Sequence, residues 1–214
     1  MTSNKEDYLK VIYELGGETN SVTNKEIAEK MELAAPSVSE MLVRLQQEGL
    51  VEYKAYHGTK LTPLGLEYCI KIVRSHRLWE VFLMEHLNYT WREAHEDAHL
   101  LEHIAPDRMI DRLDAYLGYP KTCPHGAIIP RHGKLPVVES DEKTLNTLEE
   151  GQEATVSRII EDGNLLDYLA STGMQINEKI TILHKGEYEG PISFIQGDKT
   201  ISISYKAATQ IYIR

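Results

Sequence analysis

The sequence predicts a mainly α-helical fold that ends in a small β domain. Apolar residues recur at helical spacing as far as Leu117, a stretch rich in proline and glycine follows, and short β-rich runs begin at residue 152. A chain of 214 residues is long enough to form more than one domain.

The first predicted helix covers residues 5 to 15. Its apolar side chains occupy positions i, i+3, i+4 and i+7, namely Tyr8, Val11, Ile12 and Leu15. The segment GGETNS then ends the pattern, since glycine and polar residues of this kind favour a loop.

A helix-turn-helix pattern follows in TNKEIAEKMELAAPSVSEMLVRLQQEGLV. Thr23 and Glu26 predict a capping box at the start of a short helix that runs through Met31. Pro36 suits the first position of the second helix, because an N–H would be unpaired there, and Gly49 ends that helix. Two short helices joined by a tight turn are typical of a helix-turn-helix.

A hairpin and three further helices are predicted next. Short extended runs flank YHGT, which indicates the wing of a winged helix. Thr62 and Pro63 favour the start of a long helix that continues to about Leu87. Shorter helices are expected over HEDAHLLEH and from about Asp107 to Leu117.

The chain changes character between residues 120 and 150. Prolines and glycines predict a linker there: Pro120, Pro124, Pro130, Pro136, Gly126 and Gly133. The later runs ATVSRII, KITILHK, PISFI, TISISY and QIYIR are evenly spaced short strands, which predict a small β-barrel.

The charge and the cysteines limit the function classes. The net charge is −10, of which residues 1–75, with nine basic and eleven acidic side chains, carry −2. Such acidity disfavours extensive nucleic-acid contacts and favours divalent cations. Two cysteines form no disulfide framework, and no signal peptide or membrane-spanning run is visible. A cytoplasmic location is therefore expected.

Potential metal ligands share one helical stripe in AHEDAHLLEH. His95, His99, Glu102 and His103 stand at relative positions 0, 4, 7 and 8. A solvated helix face rich in histidine is the alternative interpretation. Further donors favour a metal site: His76 and Glu80 at i and i+4 on the long helix, Asp7 beside an apolar stripe, and Cys123 and His125 in CPH. Carboxylates with imidazoles suit Mn²⁺, Fe²⁺, Co²⁺ or Zn²⁺, whereas a thiol is unusual for Mn²⁺.

These segments resemble the diphtheria toxin repressor and manganese transport regulator family of metal-dependent transcriptional repressors. The resemblance rests on KEDYLKVIYEL, the helix-turn-helix, LTPLGLE, SHRLWEVFL, HEDAHLLEH and GYPKTCPHG, and CPHG with a β domain points to the longer streptococcal-type branch. It implies a winged helix-turn-helix domain over residues 1–73, a helical dimerisation and metal-binding domain with linker over 74–140, and an SH3-like, FeoA-like domain over 141–214.

The resemblance also implies two metal sites. One consists of Glu80, Cys123, His125 and Glu161, with Asp162 as the alternative to Glu161 and with His76 as a further ligand. The other consists of Asp7, His99, Glu102 and His103; His99 departs from the family pattern, which leaves the ion preference of that site open. His95 is interpreted as a residue behind the ligands or on the surface. Mn(II) is the expected ion, Fe(II) the alternative, and Zn(II), Co(II) or Cd(II) ions that bind in vitro.

The implied function is repression of metal-uptake genes by a homodimer, or by two dimers on one palindromic operator. Candidate DNA contacts are Thr23, Pro36, Ser37, Ser39, Glu40, Arg44, Lys54 and Lys60, each of which ordinary surface would explain equally well. The chain is not expected to be an enzyme, although a metallohydrolase and a winged-helix sensor of a small organic ligand remain as alternatives. The sequence has no nucleophile elbow or phosphate-binding loop to support a hydrolase.

Overall fold

The structure is a computed structural model that describes residues 1–131 and 143–214. These residues divide into two compact units. The first takes in residues 1–75 and 102–104 with the described part of 130–135, and the second takes in 76–101 and 105–129 with the described part of 136–214. Pro136, Gly133 and the predicted boundary between residues 140 and 141 lie outside the described residues.

The first unit has the predicted winged helix-turn-helix. Its elements are α1 (Ser3–Glu14), α2 (Asn24–Met31), α3 (Ala35–Gln47), β1 (Val51–Lys54), β2 (Gly58–Leu61) and the first part of α4 (Pro63–Leu87). The two strands form an antiparallel hairpin in which Val51 pairs with Leu61. Buried side chains from α1, α2, α3, β1 and β2 form one core, which includes Leu9, Ile12, Ile27, Leu42, Leu45 and Val51.

Local signals in the sequence explain the ends of these helices. The capping box is present, since the Thr23 hydroxyl accepts from the Glu26 N–H and the Glu26 carboxylate accepts from the Thr23 N–H. Helix α3 begins one residue earlier than predicted, at Ala35, so that Pro36 is its second residue. Gly49 follows the helix with φ +74°, a left-handed conformation that glycine adopts without a Cβ clash.

The second unit contains the rest of α4, two further helices and a β domain. Helices α5 (Trp91–Leu101) and α6 (Asp107–Tyr116) share a core with α4 that includes Leu78, Val81, Ala94, Ala98, Ile110 and Cys123. Within the described ranges, no helix combines the length and apolarity needed to cross a membrane.

The β domain is one antiparallel six-stranded sheet in the order β3-β8-β4-β5-β6-β7. The strands are β3 (Lys143–Thr144), β4 (Glu153–Ile159), β5 (Lys179–Lys185), β6 (Ile192–Gln196), β7 (Lys199–Ile203) and β8 (Ile211–Ile213). A 3₁₀ turn (Leu145–Thr147), helix α7 (Gly163–Thr172) and the short α8 (Tyr205–Ala208) interrupt the strand sequence. In the described part of the chain, no pairing of β3 with β7 closes the predicted barrel, so the domain is an SH3-like sheet with two edges.

Candidate metal centres

Six potential ligands of the second unit lie close together, with the Glu80 carboxylate at their centre. We call them the Cys123 cluster: His76, Glu80, His95, Cys123, His125 and Glu161. Helix α4 supplies His76 and Glu80 one turn apart, α5 supplies His95, the loop after α6 supplies Cys123 and His125, and the end of β4 leads into Glu161. The Oε1 atom of Glu80 lies 3.0 Å from Nε2 of His76, 3.2 Å from Nδ1 of His95 and 3.1 Å from Nδ1 of His125.

The ligands form two overlapping sets, each with four donor atoms within 4.8 Å of one another. One set is Glu80, Cys123, His125 and Glu161, and the other is His76, Glu80, His95 and Glu161. Since Glu80 and Glu161 belong to both sets, the two carboxylates are the shared part of the cluster.

A tight turn holds the thiol and the imidazole of the loop in place. The Gly126 N–H donates to the Cys123 carbonyl at 2.9 Å, and the Ile159 N–H of β4 donates to the His125 carbonyl at 3.0 Å. Gly126 has φ +87°, and a Cβ there would lie 2.0 Å from the carbonyl oxygen of Ser157. Only glycine fits where the turn lies against β4.

Buried polar atoms without hydrogen bonds make the cluster suitable for a cation. His125 and Glu80 have no exposed side-chain surface. Among the described residues, the Nε2 atom of His125 and the Oε2 atom of Glu80 lack a hydrogen-bond partner, whereas Nδ1 of His125 faces the Glu80 carboxylate at 3.1 Å. Buried groups of this kind are costly unless something pairs with them, and a metal ion accepts lone pairs from both. The residues present therefore fit a divalent metal ion.

Electrostatics in the cluster favour charged carboxylates. Burial raises the pKa of Glu80, but the positive charges of His125 and His76 outweigh burial and hold that pKa well below its usual value. Burial and the Glu80 and Glu161 carboxylates raise the pKa of the Cys123 thiol well above its usual value. The thiol is therefore protonated without a cation, and metal binding through sulfur must release that proton.

The imidazole of His125 makes the metal-free protein sensitive to pH. Burial lowers its pKa, but the charge of Glu80 outweighs burial and raises the pKa above 6.5. A group whose pKa is higher in the folded than in the unfolded protein stabilises the fold at pH values below its unfolded pKa. This stabilisation is lost as the pH rises through its folded pKa. We expect the free energy of unfolding of the metal-free protein to fall as the pH rises above 6.5. Urea unfolding in chelator measures this fall, and His125→Gln should reduce it. A fall of equal size in His125→Gln would contradict this assignment.

The first unit holds a second group of donors, the Asp7 cluster, which consists of Asp7, Glu102 and His103. Their ligand atoms lie within 4.8 Å of one another. The Nε2 atom of His103 lies 3.0 Å from the Asp7 carboxylate and 3.5 Å from that of Glu102. On the other side of the ring, Nδ1 lies 2.7 Å from the Glu6 carboxylate. An imidazole between carboxylates is a combination that binds divalent cations.

The structure corrects the single-helix interpretation of the histidine stripe. Helix α5 ends at Leu101, so Glu102 and His103 lie in the following turn. Pro106 follows with extended backbone angles as the N-cap of α6, and the residue directly before a proline disfavours helix, so α5 and α6 do not form one continuous helix. His99 lies on α5 in the second unit and is exposed, and its role as a ligand remains a prediction.

The structure also separates the two acidic candidates and brings His95 into the Cys123 cluster. The Asp162 carboxylate accepts from the Leu165 N–H and caps α7, so Glu161 is the acid that joins the Cys123 cluster. His95 joins that cluster as well, although it was interpreted as lying outside the ligands. The i, i+4 spacing of His95 and His99 indicates that both imidazoles lie on one face of α5. The spacing does not show which side chains of other elements the His95 imidazole contacts.

The candidate DNA contacts lie on the helix-turn-helix and its wing. Pro36, Ser37, Glu40, Arg44 and Lys54 are exposed. Three other predicted residues have partners: Thr23 in its capping box, Lys60 with its ammonium 2.9 Å from the Thr19 carbonyl, and Ser39.

The residue that holds Ser39 was not predicted from the sequence. The Asn24 amide donates to the Ser39 hydroxyl at 2.8 Å and to the Tyr53 hydroxyl at 3.1 Å. Asn24 therefore ties α2, α3 and β1 together beneath the outer face of α3. On that face Arg44 pairs with Glu40, which leaves Lys54 as the predicted basic side chain for which no such contact is described.

Comparisons with known proteins match the chain along its length. Residues 1–59 match the N-terminal DNA binding domain of iron dependent repressors, residues 62–131 match their metal binding and dimerisation domain, and residues 143–214 match the FeoA domain. The iron-dependent repressor IdeR of Mycobacterium leprae (strain TN) is 27% identical over 222 residues, which cover 97% of this chain and 95% of that protein.

Solved structures are similar to the chain as well. The manganese regulator SloR has a solved structure that superimposes on this chain with a TM-score of 0.81, and the two sequences are 42% identical. The match covers 100% of this chain and 99% of the SloR chain. The crystal structure of ScaR with bound Zn²⁺ is 41% identical with a TM-score of 0.82 and 98% coverage of both chains.

Proposed function

Because this chain belongs to the diphtheria toxin repressor and manganese transport regulator family of metal-dependent transcriptional repressors, we propose that divalent cations bound by the Cys123 cluster and the Asp7 cluster switch on its binding to DNA. As a member of that family it is a DNA-binding, metal-binding homodimer and not an enzyme.

The observation that carries the proposal is the state of His125. This imidazole has no exposed surface, its Nε2 atom lacks a hydrogen-bond partner among the described residues, and its Nδ1 atom lies 3.1 Å from the Glu80 carboxylate. A histidine that served only packing would cost free energy in this position. A histidine that binds a metal through one nitrogen is satisfied when the ion is bound.

Mn(II) is the expected ion, with Fe(II) as the alternative, because the similar structures include a manganese regulator. Two carboxylates and one or more imidazoles suit both ions, whereas the Cys123 thiol is a softer donor that Fe(II) and Zn(II) accept more readily. The names of similar structures include a manganese regulator and proteins with bound Zn²⁺ or Cd²⁺. We therefore expect Zn(II), Co(II) and Cd(II) to bind in vitro.

The residues of each cluster suggest how binding changes the protein. In the Cys123 cluster, Glu80 and Glu161 are two carboxylates whose mutual repulsion a bound cation relieves. In the Asp7 cluster, Asp7 belongs to α1, and α1 packs in the core of the helix-turn-helix. Ligation of Asp7 together with Glu102 and His103 restricts the movement of α1. A cation that binds the DNA-competent arrangement more tightly shifts the population toward it.

The proposed target is a palindromic operator of metal-uptake genes. Half-sites for a helix-turn-helix dimer lie about one helical turn, roughly 34 Å, apart, so a dimer with fixed spacing fits two of them. The recognition face carries few basic side chains, and the first 75 residues have a net charge of −2. Few phosphate contacts per head favour the binding of two dimers to one operator.

The two alternative functions have less support. A metallohydrolase needs a general base beside an open coordination position, and the family consists of transcriptional repressors. A sensor of a small organic ligand would not explain why imidazoles, carboxylates and a thiol lie together in the Cys123 cluster.

Anomalous diffraction from crystals grown with Mn(II) tests the assignment directly. Data collected on both sides of the manganese edge should place one ion within bonding distance of Glu80 and His125 and a second at Asp7 and His103. Peaks only at surface carboxylates would contradict the proposal.

A further inference from the structure

We propose that Lys10 is an internal cation of the Asp7 cluster, which competes with the divalent ion and sets how tightly the cluster binds it. The inference rests on the proposed function, in which Asp7, Glu102 and His103 bind a metal.

The ammonium of Lys10 pairs with both oxygens of one proposed ligand. Its Nζ atom lies 2.9 Å from one Glu102 oxygen and 3.1 Å from the other. The Lys10 side chain is 9% exposed and that of Glu102 is fully buried. Lysine is rarely buried unless it is paired, and here the pair is formed with a carboxylate that the metal is expected to use.

The position of Lys10 on α1 directs it toward the same cluster. Glu6, Asp7 and Lys10 stand at i, i+1 and i+4 in that helix. Residues three or four apart share a helix face, so Lys10 lies beside the two acids that contact His103. Lys10 is therefore part of the cluster and not a distant counter-charge.

The charges in and beside the Asp7 cluster match one divalent ion. Glu6, Asp7 and Glu102 supply three negative charges, and Lys10 supplies one positive charge, which leaves two for the metal. Without the ammonium, the same acids would attract a divalent ion more strongly, because the positive charge of Lys10 would no longer repel the metal. The metal-free protein would also lose one partner of the buried Glu102 carboxylate, so it would be less stable and metal would stabilise it more strongly.

Removal of the charge at position 10 tests this role. Lys10→Met and Lys10→Gln are introduced into the full chain in a Cys123→Ser, His125→Gln background, so that the Asp7 cluster dominates binding. Mn(II) affinity is measured by competition with a fluorescent chelator, and thermal unfolding is followed in chelator and in Mn(II). We expect both variants to bind Mn(II) at least about tenfold more tightly than the background protein and to show a larger metal-induced rise in melting temperature.

Two control variants separate charge from position. Lys10→Arg keeps the charge, and Lys5→Met removes a lysine of the same helix that pairs with Glu48 away from the cluster. Both should retain the background affinity.

Unchanged or weaker binding by Lys10→Met and Lys10→Gln would overturn the inference, because it would mean that Lys10 only positions Glu102. Absence of Mn(II) binding in the background and in every Lys10 variant would overturn the metal site itself. Binding that appears only when the charge is removed would support the inference.

Discussion

Glu80→Gln is expected to abolish metal-activated DNA binding while leaving the fold intact. Glutamine has the shape of glutamate but cannot supply the negative charge that both donor sets of the Cys123 cluster share. Substitutions behind the ligands of a metal site commonly weaken binding by about 10- to 100-fold, so loss of this central ligand should cost at least about 100-fold. Calorimetric titration with Mn(II) measures this loss, and gel-shift titration measures its effect on DNA binding.

Glu85→Gln is the matched control, because Glu85 lies on the same helix and is exposed. It should behave as the unsubstituted protein in both assays. Full metal response by Glu80→Gln, with a normal melting temperature in chelator, would show that the Cys123 cluster does not control DNA binding.

Gly126→Ala is expected to weaken metal binding although position 126 supplies no ligand atom. The new Cβ would lie 2.0 Å from the Ser157 carbonyl oxygen, and the left-handed conformation itself costs about 1–2 kcal/mol. The turn must move away from β4, and Cys123 and His125 move with it. A cost of about 1–2 kcal/mol in the population of the binding-competent turn lowers the apparent Mn(II) affinity about tenfold. The clash with Ser157 adds to this loss.

Gly151→Ala separates conformational strain from the clash. Gly151 has φ +81° in the same unit, but a Cβ there would meet no atom within 4 Å. Chemical denaturation should show some loss of stability in both variants, whereas calorimetry should show weaker Mn(II) binding only for Gly126→Ala. Equal Mn(II) affinities would mean that docking of the turn on β4 does not position the ligands.

Local rules predicted most helices and strands of the fold. Thr23 and Glu26 define the start of α2, and Pro63 begins α4, because capping and proline geometry act within a few residues. Helix α7 was missed because its short apolar pattern, Leu165, Leu166 and Leu169, follows a strand and was interpreted as part of a β-rich region. Asp162 as N-cap and Gly173 as C-cap were the signals that mark it.

The ligand types of the site were visible in the sequence, but their grouping was not. The i, i+4 spacing of His76 and Glu80 placed them together on α4, because helical spacing determines which side chains share a face. Whether His95 or Glu161 meets them depends on how α5 and β4 pack within the second unit. The pairing of Lys10 with Glu102 joins residues far apart in the chain, which local patterns do not encode.

Operator binding at controlled concentrations of free Mn(II) tests the central claim most directly. A duplex selected from a random library by the Mn(II)-loaded protein is titrated with the protein in Mn(II) and, separately, in chelator, and binding is followed by fluorescence anisotropy. We expect Mn(II) to tighten binding by about 10- to 100-fold and chelator to reverse the effect. Equally tight binding by the metal-free protein would contradict the account.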